Sequence, residues 1–439
     1  MLNFEGRTGP ELDTPVAYPS AGVPAWWRDA KFGIFWHWGL YSIPAWASVE
    51  DPPEDTQWAA YAWHHYAEWY ANTVRIEGSP ARERHERTFG VGTSYEDLAE
   101  SWRPSLDAAR LARDVKAWGA QYFIPTAKHH DGFCLWDTAT TGFNAARRGP
   151  RRDLIADLES AMRGAGVRFG LYFSGALDWH VSEFPPITSD EELFGFRRQD
   201  EAFARYAARQ LDELIERFSP DVLWNDIEWP DAGKAHDEWG LGALFRRYLD
   251  AVPEGVLNDR WGVPFHGHLT REYAHIDDIL AVPWEATRGI GRSFGYNTAE
   301  GEAEYLSGAE LVRLLVDVVA KGGNLLLNVG PDASGGVTDP QQERLNALGG
   351  WLASQGEAIY GTRPWVRYGD NGVRYTQRDG QVYVFIMDPW NAAQLPPELV
   401  GRPARWLGEA GDPWLAGETV RCPHPDESHP VRVLAVDVS

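Results

Sequence analysis

Through residue 355 the apolar positions follow two alternating periods. Short apolar runs that read as buried strands fall at 32–36, 122–127, 167–173, 221–224, 255–258, 279–283 and 324–329. Between them lie stretches with apolar residues at helical spacing, at 107–118, 153–164, 191–218, 240–251 and 305–321. Leu111, Val115 and Trp118 stand at i, i+4 and i+7, and Gly119 ends that helix. Phe203, Tyr206, Leu211, Leu214 and Phe218 share one face of the 191–218 helix. Pro220 stops it, because proline has no N–H and pushes the residue before it out of the helical region. At least seven strand-then-helix units in this order predict a parallel β/α fold. A doubly wound open sheet is the rival, but no glycine-rich phosphate loop follows the first strand. The pattern therefore predicts a (β/α)8-like (TIM) barrel.

Near residue 360 the period changes. Alternating runs at 373–377 and 381–387 flank Asp379-Gly380, a hairpin signal, and 431–438 reads as another strand. Prolines crowd the connections. The expected organisation is a barrel over 1–355 and a small antiparallel β-sandwich over 356–439. A long aromatic insertion, residues 44–95, interrupts the early barrel.

The charge is −23, from 64 acidic and 41 basic residues, which disfavours nucleic acid or an anionic membrane as partner. The substrate is then expected to be neutral. The 22 tryptophans fit large aromatic cores, and equally fit sugars, whose C–H faces stack on indole rings. Cys134 and Cys422 are the only cysteines, so neither a disulfide framework nor a cysteine zinc site is expected. The first seven residues lack the basic-then-apolar pattern of a signal peptide, and no apolar run reaches spanning length. The expected location is cytoplasmic. A homo-oligomer is compatible with these features.

The chemistry gathers at the C-terminal ends of the strands, where barrel enzymes carry their sites. Those positions hold His37, His129, His130, Tyr172, Trp224, Asp226, Arg260, Trp284 and Phe294. Trp224, Asp226 and Glu228 alternate, which predicts that they project to one side. A metal site needs three or four His or carboxylate ligands, and His129-His130 is a poor chelate if adjacent strand residues face opposite ways. A glycosidase needs two carboxylates flanking one bond. Asp226 is the first; Glu228, Glu272 and Glu285 are candidates for the second. Glu228 shares the strand of Asp226 and is expected too near to it. Glu272 is expected in a loop that reaches over the bond.

The chain resembles the retaining α-L-fucosidases of glycoside hydrolase family 29. The resemblance rests on Phe32-Gly33-Ile34-Phe35-Trp36-His37-Trp38-Gly39, Glu68-Trp69-Tyr70, Lys128-His129-His130-Asp131-Gly132-Phe133, Leu223-Trp224-Asn225-Asp226 and Asn258-Asp259-Arg260-Trp261-Gly262. It continues through Phe294-Gly295-Tyr296-Asn297 and Asn328-Val329-Gly330-Pro331, over roughly residues 25 to 365. The resemblance implies a (β/α)8-like barrel followed by a β-sandwich. It implies Asp226 as nucleophile and Glu272 as general acid/base. It implies a fucose pocket of His37, Glu68, Trp69, His129, His130, Tyr172, Trp224, Arg260 and Phe294. Asn225 stands where many members carry a bulkier residue.

The expected protein is a cofactor-free, exo-acting α-L-fucosidase acting on a fucosylated oligosaccharide or glycoconjugate. The alternatives are a metal-dependent barrel hydrolase and a carbohydrate-binding protein without activity.

Overall fold

The computed structural model describes residues 18, 22–52, 57–236, 238–370, 372–408, 414–422 and 429–439. The expectation about the first seven residues lies outside them. Eight parallel strands carry the main sheet: β1 (Phe32–Trp36), β2 (Tyr122–Lys128), β3 (Arg168–Ser174), β4 (Val222–Asp226), β5 (Val256–Leu257), β6 (Leu269–Glu272), β7 (Trp284–Gly289) and β8 (Asn324–Val329). Their order is β5-β4-β3-β2-β1-β8-β7-β6. Because β8 pairs back onto β1, with Ile34 opposite Leu327, the sheet curls into a barrel. Its seam lies between β5 and β6. There the ladder is replaced by Gly267 N–H and His268 N–H, which both donate to Leu257 O at 2.7 and 3.2 Å.

The covering helices are α1 (Ala108–Ala117), α2 (Leu154–Gly164), α3 (Glu201–Phe218), α4 (Leu241–Ala251), α5 (Gly308–Ala320) and α6 (Asp339–Gln355). Side-chain oxygens close their first turns. Asp107, Asp153 and Asp200 accept from Arg110 N, Ala156 N and Phe203 N, and Ser307 with Glu310 makes a capping box.

Three expectations change. The 191–218 helix is two, Asp190–Gly195 and α3, because Asp200 caps a fresh start. The strand expected at 279–283 is β7, displaced to 284–289, where Trp284 is buried and its indole N–H donates to Lys321 O at 3.2 Å. Trp284 thus opens its strand at the end of the barrel away from the catalytic face, and is a core residue. Finally, β6 lies where a loop was expected, and neither it nor β5 is followed by a helix. Residues 258–268 hold Gly262, Pro264 and Gly267, which break a helix there.

Beyond α6 lie two antiparallel sheets. The larger joins β9 (Arg363–Asp370), β10 (Val373–Arg378), β11 (Gln381–Ile386), β13 (Ala404–Trp406) and β16 (Arg432–Asp437). The smaller joins β12 (Ala393–Gln394), β14 (Trp414–Ala416) and β15 (Thr419–Arg421). Asp379 and Gly380 both take positive φ, 50° and 77°, as the two-residue hairpin turn between β10 and β11 requires. Alternate residues face opposite ways. Val382, Val384, Leu434 and Val436 pack within the sandwich, whereas Tyr383, Phe385 and Val433 join the barrel's core. Trp351 of α6 anchors that contact, its indole N–H donating to Val431 O at 2.8 Å.

One buried ion pair sets the end of β2. Lys128 Nζ donates to Asp178 Oδ2 at 3.1 Å and to Gln210 Oε1 of α3 at 3.0 Å, with both charged side chains fully buried. Next along the chain, His130 O accepts from Trp179 N–H at 2.7 Å. Asp178→Ala would leave the ammonium buried with one neutral partner. It should destabilise the protein by ~3–5 kcal/mol in urea unfolding, and Asp178→Asn by less. An unchanged midpoint in Asp178→Ala would show that the pair does not hold this corner.

Candidate active site

The strand ends and the insertion converge on one cavity. It is lined by all eleven residues that the family resemblance implied: His37, Glu68, Trp69, His129, His130, Tyr172, Trp224, Asp226, Arg260, Glu272 and Phe294. Phe35, Tyr66 and Thr287 complete the wall. Phe35 was readable by alternation, since it precedes His37 by two on β1. Thr287 was hidden by the displaced register of β7. Tyr66 lies two residues before Glu68 in the insertion and carries no local signal.

β2 ends at Lys128, after a register irregularity against β3 between Thr126 and Lys128. The strict alternation that would separate His129 from His130 therefore stops. Both rings enter the cavity, with centroids 4.1 Å apart.

β4 ends at Asp226, and here the expected alternation also fails. Ile227 and Glu228 both adopt left-handed backbone, with φ of 58° and 60°. Such a conformation is rare for a β-branched residue and costs ~1–3 kcal/mol per residue. Asn225 compensates. Its buried amide donates to Glu228 O at 3.0 Å and to Arg260 O at 2.8 Å, tying the turns after β4 and β5 together. A Cβ at Gly175 would collide with Glu228 O, so only glycine fits beside this turn. The turn sends Glu228 away from the cavity, to Lys234 Nζ at 3.0 Å and Arg197 at 3.8 Å. Glu285 is likewise outside the cavity. It is fully buried in the barrel, accepting from Tyr122 Oη at 2.6 Å and Trp224 Nε1 at 3.2 Å. Two of the three candidates for second carboxylate are thus already engaged elsewhere.

Asp226 and Glu272 face the same cation. Arg260 donates from Nη1 to Asp226 Oδ1 at 3.0 Å and from Nη2 to Glu272 Oε2 at 2.7 Å. Its Nε donates to Thr270 Oγ1 at 3.0 Å, and Thr270 is held in turn by Asp259. The guanidinium lies over the Trp224 ring at 4.8 Å. Asp226 also accepts from Tyr172 Oη at 3.0 Å and from Ile227 N–H at 2.9 Å. Burial pushes the Asp226 carboxyl upward, but Arg260, His130 and the Tyr172 hydroxyl outweigh it and hold the group below the ordinary aspartate value. For Glu272 burial wins. The nearby Asp226 adds to it, and the group sits above the ordinary glutamate value despite Arg260. Glu272 is the last residue of β6, not part of a swinging loop.

The other walls are neutral at physiological pH. Burial lowers His37 to about 3 and His130 to about 4, and holds His129 well below the ordinary range. His37 Nδ1 pairs with Asn328 Oδ1 at 2.6 Å, and the Asn328 amide is oriented by donating to Phe294 O. That arrangement assigns the proton to Nδ1 and leaves Nε2 as acceptor. Burial raises Glu68 to about 8, so its carboxyl carries a proton near neutral pH while Oε2 accepts from Gly295 N–H at 2.8 Å. Phe35, Tyr66, Trp224 and Phe294 supply an apolar side to the same cavity.

An acidic pair bridged by arginine, inside an aromatic-lined cavity on the catalytic face of a β/α barrel, defines a glycoside-hydrolase type of site. Residues 14–357 match the family model described as Alpha-L-fucosidase. Tissue alpha-L-fucosidase of Bos taurus is 33% identical over 391 residues, covering 87% of this chain and 78% of that protein. The solved alpha-fucosidase of Thermotoga maritima in complex with a mechanism-based inhibitor is 42% identical, with a TM-score of 0.86, covering 95% of this chain and 97% of that one. Alpha-L-fucosidase isoenzyme 1 from Paenibacillus thiaminolyticus is 27% identical with a TM-score of 0.76, covering 94% and 98%. The chain belongs to the alpha-L-fucosidase family, glycoside hydrolase family 29, and is an alpha-L-fucoside hydrolase.

Because Glu228 points to Lys234 and away from the cavity, Glu228→Gln should leave kcat/KM for an aryl α-L-fucoside within ~3-fold of the parent while lowering the melting temperature. A loss as deep as that of Asp226→Ala in a folded Glu228→Gln protein would contradict the placement.

Proposed function

We propose that the protein is a retaining, exo-acting α-L-fucosidase in which Asp226 is the nucleophile and Glu272 the general acid/base. The observation that carries this reading is the opposed ionisation of the two carboxylates around Arg260. Asp226 is held below its ordinary range and Glu272 above its own. Between the two titrations one can attack as a carboxylate while the other still carries a proton.

In the first step Asp226 Oδ attacks the anomeric carbon from the β face. The bond to the aglycone oxygen breaks, and that oxygen takes the proton of Glu272. The product is a β-linked fucosyl ester of Asp226 and a free aglycone. In the second step the Glu272 carboxylate removes a proton from water, which attacks from the α face, releases α-L-fucose and restores the Asp226 carboxylate. The Oδ1 atom of Asp226 is held by Arg260 and Ile227 N–H, and Oδ2 by Tyr172.

The remaining cavity residues bind. His37 Nε2 and the imidazoles of His129 and His130 offer acceptors to sugar hydroxyls, and protonated Glu68 offers a donor. The side made by Phe35, Tyr66, Trp224 and Phe294 suits the C5 methyl of fucose, and Trp69 packs against His130 with centroids 5.5 Å apart. The expected substrates are terminal α-L-fucosides of oligosaccharides or glycoconjugates. A Thermotoga maritima alpha-L-fucosynthase, 41% identical and with a TM-score of 0.86, is known in complex with an α-L-fucosyl-(1-2)-β-L-fucosyl azide. A β-fucosyl azide is the species an attack from the nucleophile's face would give.

Azide separates the two roles. In Asp226→Gly it should occupy the vacated space, attack an activated α-fucoside directly and give β-fucosyl azide. In Glu272→Ala the ester should still form from a good leaving group, and azide, needing no base, should then attack from the α face and give α-fucosyl azide. Product anomers read by NMR should therefore be opposite. The same anomer from both variants would overturn the assignment.

A further inference from the structure

We propose that Tyr273 is a positioning residue for the acid/base carboxylate. The inference rests on the reading of Glu272 as acid/base. β6 is four residues long, borders the barrel seam, and has a ladder only with β7. No helix follows it, and Ala274 and His275 just beyond are exposed. Glu272, at the end of so short an edge strand, would have little to fix its backbone.

Tyr273 supplies what the strand lacks. It holds left-handed backbone at φ 47°, a conformation uncommon for a tyrosine that persists only when its surroundings enforce it. Three sets of contacts do so. Its N–H donates to Thr287 O at 3.1 Å, extending the β6–β7 pairing one residue past Glu272. Its hydroxyl accepts from Gly289 N–H at 3.0 Å, at the end of β7. The same hydroxyl donates to Gly291 O at 3.2 Å and Arg292 O at 3.1 Å. Its ring meets Phe294 edge-on at 5.7 Å. One side chain thus bolts the residue after Glu272 to the loop that carries Phe294 and, through Gly295 N–H, holds Glu68. The hydroxyl takes no part in any proton transfer. It acts by keeping the Glu272 carboxyl aimed.

Aim matters only where the leaving group needs a proton. Tyr273→Phe keeps the ring and removes the three hydroxyl contacts. It should lower kcat/KM about 10-fold or more for a fucosyl disaccharide or alkyl fucoside, and less than ~3-fold for 2-chloro-4-nitrophenyl α-L-fucoside. Adding Tyr273→Phe to Glu272→Ala should cost less than ~3-fold on either substrate, because no proton donor remains to be aimed. A second readout is the basic limb of the kcat/KM profile, which should move in Tyr273→Phe, since the Glu272 carboxyl then samples a different setting. Equal losses on good and poor leaving groups, or a full additional loss in the Glu272→Ala background, would make Tyr273 a merely structural residue and overturn the proposal. If Glu272→Ala itself shows no leaving-group dependence, it is the acid/base reading of Glu272 that falls.

Discussion

The site depends on one guanidinium. Two buried carboxylates in one cavity repel, and unaided both would titrate upward. Arg260 reaches both, at 3.0 and 2.7 Å, but does not serve them equally. Asp226 has further donors in Tyr172 and its own turn, whereas Glu272 shows no second hydrogen-bond donor among the described residues. The same cation therefore leaves Asp226 below its ordinary value and Glu272 above its own. The cation is itself fixed by Thr270 and Asp259 and by the face of Trp224. Trp224 is in turn held from below by Glu285. A chain of contacts from the barrel interior thus reaches the reacting groups.

The fold gives each carboxylate a different kind of support. Asp226 stands on β4, paired on both sides by β3 and β5, and ends against a strained turn that Asn225 secures. Glu272 stands on β6 at the seam, with a partner on one side only. Nucleophile and acid/base need unlike freedom. The first must present one oxygen to one carbon, and the second must follow an aglycone whose structure lies outside the cavity. An edge strand pinned by a single tyrosine fits that second task better than a central strand would.

Much of this was legible in the sequence. The strand and helix periods predicted the barrel, and the polar strand ends identified the cavity, because side-chain alternation and apolar spacing are local properties. The failures came where the backbone leaves its period. The left-handed pair Ile227 and Glu228 reverses the direction in which Glu228 points, and nothing in its side chain announces that. The irregularity beside Lys128 turns both histidines inward. The β7 register was displaced because residues 279–283 are apolar enough to read as a strand, whereas the strand's own stretch, Trp284–Gly289, carries Glu285 and Arg288. The buried partners of Glu285, Tyr122 and Trp224, are remote in sequence, so its burial was invisible. Asn225 illustrates the converse. It looked like a departure from the family pattern, and the structure gives it two turns to tie.

The central claim is that Arg260 offsets burial at both carboxylates, far enough to hold Asp226 below its ordinary value and not far enough to do so for Glu272. Activity requires Asp226 ionised and Glu272 protonated, so kcat/KM should rise with pH through a limb below the ordinary aspartate value of 3.8 and fall through a limb above the ordinary glutamate value of 4.5. Arg260 lowers both groups, so in Arg260→Met burial weighs more heavily on each, opposed at Asp226 only by His130 and the Tyr172 hydroxyl. The most direct test is the pH profile of residual kcat/KM in that variant, measured on an activated aryl α-L-fucoside. Both limbs should move to higher pH. Limbs that stay where they are in the parent, or an acidic limb that moves lower, would contradict the account.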